Sequence, residues 1–165
     1  MAATYTPIAS ITLGADAATV DFTSIPQTYT DLILITNAGH STTANFFIRL
    51  NSDTGSNYSV TRLSGNGSAA SSARTTSATS FGMTGQSYID SAITFNSIIH
   101  FQNYSNTTTN KTILGRQNLA AGGVDLVAGL YRSTSAISSI NLLLSTGTYD
   151  SGSTFNLYGI LAGNA

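Results

Sequence analysis

The sequence predicts an all-β fold, an antiparallel β-sandwich or barrel of short strands with no long helix. Three observations carry this. Ser and Thr supply 48 of the 165 residues, while charged residues make up only 8%, against roughly 25% in a typical soluble domain. Helices solvate their outer faces with Glu, Lys, Gln and Arg, and these number 0, 1, 4 and 5. Finally, apolar residues recur in short, often alternating runs separated by Gly, Asn, Asp and Ser, the pattern of strands and turns.

The runs follow in order along the chain. Ile8, Ile11 and Leu13 form the first, closed by Gly14-Ala15-Asp16, and Val20 and Phe22 alternate in the second. Leu32-Ile33-Leu34-Ile35 is continuous, which predicts a central strand buried on both faces. Phe46 to Leu50 is the fourth run, and Asn51 to Gly55 follows as a polar turn. Tyr58, Val60 and Leu63 mark the fifth, with Tyr58, Val60 and Arg62 on one face by period two. Residues 64–80 hold almost only Ser, Gly, Ala, Thr and Asn, which predicts a long exposed loop. Phe81 and Met83 make a short run, and runs over 93–104, 111–119, 124–132, 137–144 and 155–161 complete about ten or eleven strands. No Pro/Gly linker divides the chain, so an N-terminal arm (1–7) and a single sandwich domain (8–165) are expected.

Several function classes are disfavoured. Nucleic-acid binding needs clustered cations, and the six Lys and Arg are dispersed. Without Cys there is no disulfide and no thiolate metal site. No apolar run approaches the ~18 residues of a membrane span. Met1 to Pro7 lacks the basic and long apolar regions of a secretory signal, so synthesis in a cytoplasm is expected. His40 reads as a loop residue and His100 as the polar phase of a strand, each structural in role. The seven Asp are scattered singly beside turn residues, where Asp bonds local amides. Asn51 to Asn57 alternates oxygen-bearing side chains but has one carboxylate and no Glu, which rejects an EF-hand loop. No carboxylate pair suits a retaining glycosidase, so no enzyme, metal or cofactor is expected.

Four segments carry a resemblance: Thr23 to Leu32 (TSIPQTYTDL), Arg49 to Tyr58 (RLNSDTGSNY), Leu130 to Ile137 (LYRSTSAI) and Phe155 to Ile160 (FNLYGI). Together they resemble small virion structural proteins of tailed bacteriophages. The resemblance implies a jelly-roll-like β-sandwich of about 8–11 strands that acts as a capsid decoration (cement) protein, often as a homotrimer. The implied partner is the major capsid protein, and the implied location is the outer surface of the virion. The contacts expected are the arm Met1, Ala2, Ala3, Thr4, Tyr5, Thr6 and Pro7, and the start of the 64–80 loop (Ser64, Gly65, Asn66, Gly67, Ser68) with Arg74. The alternative is a tail- or head-fibre module that recognises a host glycan through loop Tyr and Asn, the tyrosines near loops being Tyr58, Tyr88, Tyr104 and Tyr149.

Overall fold

A computed structural model describes residues 4–85, 94–119 and 122–161. The described residues form twelve strands and no helix. These are β1 (Thr6–Thr12), β2 (Thr19–Phe22), β3 (Asp31–Ala38), β4 (Phe46–Leu50), β5 (Tyr58–Gly65), β6 (Ala70–Ala78), β7 (Phe81–Gly82), β8 (Phe95–Gln102), β9 (Lys111–Leu119), β10 (Gly123–Tyr131), β11 (Ile140–Leu144) and β12 (Thr154–Ile160).

Every pairing is antiparallel. Eight strands form one sheet in the order β1-β12-β3-β8-β9-β10-β5-β6, and four form the second in the order β2-β11-β4-β7. The expected β-sandwich is therefore present. One contiguous core lies between the sheets. Leu32, Leu34, Phe95, Ile99, Phe101, Ile113, Val127, Tyr58, Val60, Phe155 and Leu157 come from the large sheet. Val20, Phe22, Phe46, Ile48, Leu50, Phe81, Ile140 and Leu142 come from the small one.

Close approach of the sheets is enforced at Gly129 on β10. A Cβ there would lie 2.6 Å from the Phe81 ring and 2.7 Å from Ile113, so the absent side chain is the space the aromatic ring occupies. Gly129→Ala is expected to destabilise the fold by about 1–3 kcal/mol through overpacking. Urea unfolding would read this as a lower midpoint, and an unchanged midpoint would refute it.

Three expectations are corrected. The predicted loop over residues 64–80 is a hairpin: β5 runs on to Gly65, a tight turn follows, and β6 spans Ala70–Ala78. Asn66 builds the turn, its Oδ1 accepting the Ser68 and Ala69 amides at 3.0 and 2.8 Å, and Gly67 supplies a φ of 85°. Apart from Ala78, every β6 residue is exposed, so the strand has no apolar alternation to read. Second, the arm ends sooner than expected, because Thr6 and Pro7 already pair with Gly159 and Tyr158 of β12. Met1, Ala2 and Ala3 lie outside the described residues. Third, β3 is central as expected, but it is buried on both faces only as far as Ile33; Ile35 is 37% exposed.

Candidate functional site

The outer face of the eight-stranded sheet is the most distinctive surface of the molecule. Residues directly opposite on paired strands share a face, so the register sets the face out in rows. One row runs Leu63, Leu126, Arg116, Ile98, Ile35 across β5, β10, β9, β8 and β3. The next runs Thr61, Ala128, Leu114, His100, Ile33, Tyr158. Leu63, Leu114, Leu126 and Val124 are all more than half exposed. Thr61, Leu63, Ile98, His100, Leu114 and Leu126 line a shallow groove of about 490 Å³. Contiguous exposed apolar surface marks interaction sites in soluble proteins. The cause lies in the strands themselves: β9 and β10 carry apolar residues on both phases, so one set fills the core and the other faces out.

Polar groups border this face. His100 Nε2 lies 3.0 Å from Asp31 Oδ2, and Asp31 Oδ1 accepts the Asn103 amide at 2.6 Å. The pair joins β8 to the start of β3, a contact that sequence separation concealed. Within the face, Arg116 on β9 sits directly between Leu126 of β10 and Ile98 of β8.

The predicted contact residues do not converge. Tyr5 is exposed and packs edge-on against Tyr158, with ring centroids 6.2 Å apart. Thr4 is exposed in the bend before β1. Thr6 and Pro7 sit on β1, whereas Ser64 to Ser68 and Arg74 sit on the β5–β6 hairpin at the opposite edge. Seven strand spacings separate the edges, about 33 Å at the usual interstrand distance. Arg74 is exposed opposite Thr61, on the same side as the apolar rows. Ser64 points the other way. Its hydroxyl donates at 2.5 Å to Asp125, a fully buried carboxylate that also accepts the Gly85 amide at 2.8 Å. Period two thus turns the partly exposed Ser64 inward, off the face that carries Arg74.

The remaining candidates have structural tasks. Asp53 accepts the Gly55 amide (2.7 Å), the Asn57 side-chain amide (2.8 Å) and the Tyr131 hydroxyl (2.9 Å). Both oxygens are thereby occupied, in keeping with a turn cap. The Asn57 amide first, and then the Gly55 amide, hold the Asp53 carboxyl below its ordinary value of 3.8. Its stabilising effect is thus present above the unfolded-state pKa and lost as pH falls through the lower folded value. Asp53→Ala is expected to cost about 1 kcal/mol at pH 7. The gap from wild type should narrow in acid below about pH 4, and parallel denaturation curves at the two pH values would show it.

Tyr58, Tyr104 and Tyr149 are fully buried, which removes three of the four tyrosines from the glycan-binding alternative; Tyr88 lies outside the described residues. His40 is no surface loop residue. It is 1% exposed and bridges Tyr149 in a short β-contact, because the chain re-enters the sandwich there. Lys111 is also buried, its ammonium donating to the carbonyls of Thr109 (2.7 Å) and Thr134 (3.0 Å). Among the described residues, no group of three or more His or Asp could hold a metal ion.

No family model matches the chain, and no curated protein matches it. Among solved structures, a crystal structure of exo-inulinase from Aspergillus awamori is similar at 12% identity and a TM-score of 0.40. The match covers 94% of this chain and 29% of that one, so the chain spans less than a third of that protein.

Sequence reasoning missed Leu63, Leu114, Val124 and Leu126 as functional candidates. The available signal was the Leu on the wrong phase of otherwise alternating strands: Ile113 and Leu119 face in, while Leu114 faces out. What such a face can do is non-covalent. It can bury apolar area against a matching surface, with Arg116, His100 and Asp31 setting the orientation.

Proposed function

We propose that this protein is a virion structural protein that decorates an assembled bacteriophage capsid and docks through the outer face of its eight-stranded sheet. The observation that carries the reading is this exposed apolar face on a chain with only 8% charged residues. Many copies can crowd on one particle with little mutual repulsion when each is nearly neutral. A surface that binds the assembled shell better than free subunits stabilises the shell by mass action.

The jelly-roll form of the reading is supported by strand order. Strands β1-β12-β3-β8 against β2-β11-β4-β7 give the two four-stranded halves of such a roll. The hairpins β5–β6 and β9–β10 then extend one half, and the leucines of the apolar face lie on that extension.

Co-sedimentation of the purified protein with capsids depleted of it tests the proposal. Saturable binding at hundreds of copies per particle, retained in high salt, is the expected result. High salt weakens ion pairs and leaves apolar contacts intact. Absence of binding, or release by salt alone, would overturn it.

A further inference from the structure

The two edges of the eight-stranded sheet are built differently. At the β1 edge, Pro7 has no amide to donate, and a register shift interrupts pairing between Pro7 and Ala9. Both features blunt an edge against further strand pairing. The β6 edge has neither over most of its length. From Ala70 to Thr75 it pairs in unbroken register with β5, Gly65↔Ala70 through Val60↔Thr75. Its irregularity is confined to the far end, where the register shifts and Ser77 takes a φ of 54°. The sequence Ala70-Ser71-Ser72-Ala73-Arg74-Thr75 has no Pro, no Lys and no acid. Its residues are exposed on both faces of the strand. In a terminal strand of this kind, alternate residues turn their N–H and C=O groups away from the sheet. Those groups form a ready template for another strand.

We infer that β6 pairs antiparallel with β6 of a second copy of this chain, about a two-fold axis near Ala73, and joins two eight-stranded sheets into one. Three features select that occupant. A two-fold antiparallel contact is self-complementary, so one free row of backbone groups satisfies its own symmetry mate. Small Ala, Ser and Thr side chains on both faces leave the edge sterically open. Charge sets the register. A pair centred on Arg74 would place two guanidinium groups directly opposite, which is destabilising. Centring one residue earlier, on Ala73, keeps the inward and outward phases matched. It sets Arg74 opposite Ser72 of the second copy, and it lies within the regular part of the strand. Leu63 is opposite Ser72 on the adjacent strand, so the apolar faces of both copies would lie on the same side of the joined sheet, flanking a polar strip of Ser72 and Arg74 at the axis.

Sedimentation and native mass spectrometry of the free full-length chain, with no shell present, test the pairing. A concentration-dependent species at twice the 17.1 kDa chain mass is expected. Two exposed-site variants then read the register with opposite signs. Ser72→Lys places an ammonium beside Arg74 of the second copy at both symmetric positions and should weaken the dimer about tenfold. Ser72→Asp places a carboxylate there and should tighten it severalfold. Amide exchange along 70–75 should slow as protein concentration rises, while unfolding midpoints at low concentration stay as in wild type. A monomer at every concentration, a trimer, or two variants shifting association the same way would each overturn the inference. Shell binding is measured separately, so loss of either result leaves the other standing.

Discussion

Replacing Tyr58 with alanine is expected to cost about 3–5 kcal/mol of folding free energy, a large share of the 5–15 kcal/mol typical of a domain. Tyr58 is fully buried at the start of β5. Its ring stacks on Tyr131 at 4.8 Å and meets the Phe81 ring edge-on at 5.0 Å, which ties the large sheet to β7 of the small one. Its hydroxyl accepts the Leu50 amide at 3.0 Å and lies within donating distance of the Leu50 and Asp53 carbonyls, at 3.2 and 3.1 Å. One side chain therefore holds the end of β4, the turn after it and the core together. Tyr58→Phe separates these tasks. It keeps the ring contacts and removes the hydroxyl, for an expected cost of about 1–3 kcal/mol.

The same hydroxyl adds an alkaline signature. Burial, the largest cause, pushes its pKa from 10.0 up to about 12. A group whose folded pKa is raised contributes stability that is fully present below the unfolded value, and it loses that contribution as pH rises through the folded value. Wild-type stability should accordingly fall between about pH 10 and pH 12, and Tyr58→Phe should fall less steeply there. Urea denaturation across that range decides it; identical slopes would sink the assignment.

What the sequence makes readable is burial. Phe95, Ile99 and Phe101 alternate on β8 because one face of that strand meets the core, and the same period places Arg62 on the inward face with Tyr58 and Val60. Where burial stops, the signal stops. β6 is held by hydrogen bonds to β5 with almost nothing covered, so its composition is that of a loop. Partners distant in sequence are equally hidden. Asp31 reaches His100 only because β3 and β8 are neighbours in the sheet, and Ser64 finds Asp125 only through the β5–β10 register. The outer apolar face was written in the sequence as Leu residues on the solvent phase, but a Leu among strands reads first as core. Only strand order shows that Leu63 and Leu126 lie side by side in the open.

That pair supplies the second large expected effect. On the proposed docking, Leu63→Thr combined with Leu126→Thr should lower affinity for the capsid by about 10- to 100-fold while leaving the fold intact. Both leucines are more than half exposed in the free protein, so their replacement removes little core packing, and Thr suits an exposed strand. Covering one leucine completely contributes about 1.5–3 kcal/mol, and each 1.4 kcal/mol is a factor of ten in Kd. Because each is only about half exposed beforehand, docking covers the remaining half, about 1.5–3 kcal/mol for the two together, or about one to two orders of magnitude in Kd. Arg116 stands opposite Leu126 and stays in place, so charge is unchanged and the loss reads apolar burial alone. The measurement is occupancy on depleted capsids beside an unfolding curve of the free variant. Full occupancy with wild-type stability would show that the shell contact lies elsewhere, because no other change to the face separates the two proteins. Equal loss of stability and occupancy would instead assign these leucines to the fold, against their exposure.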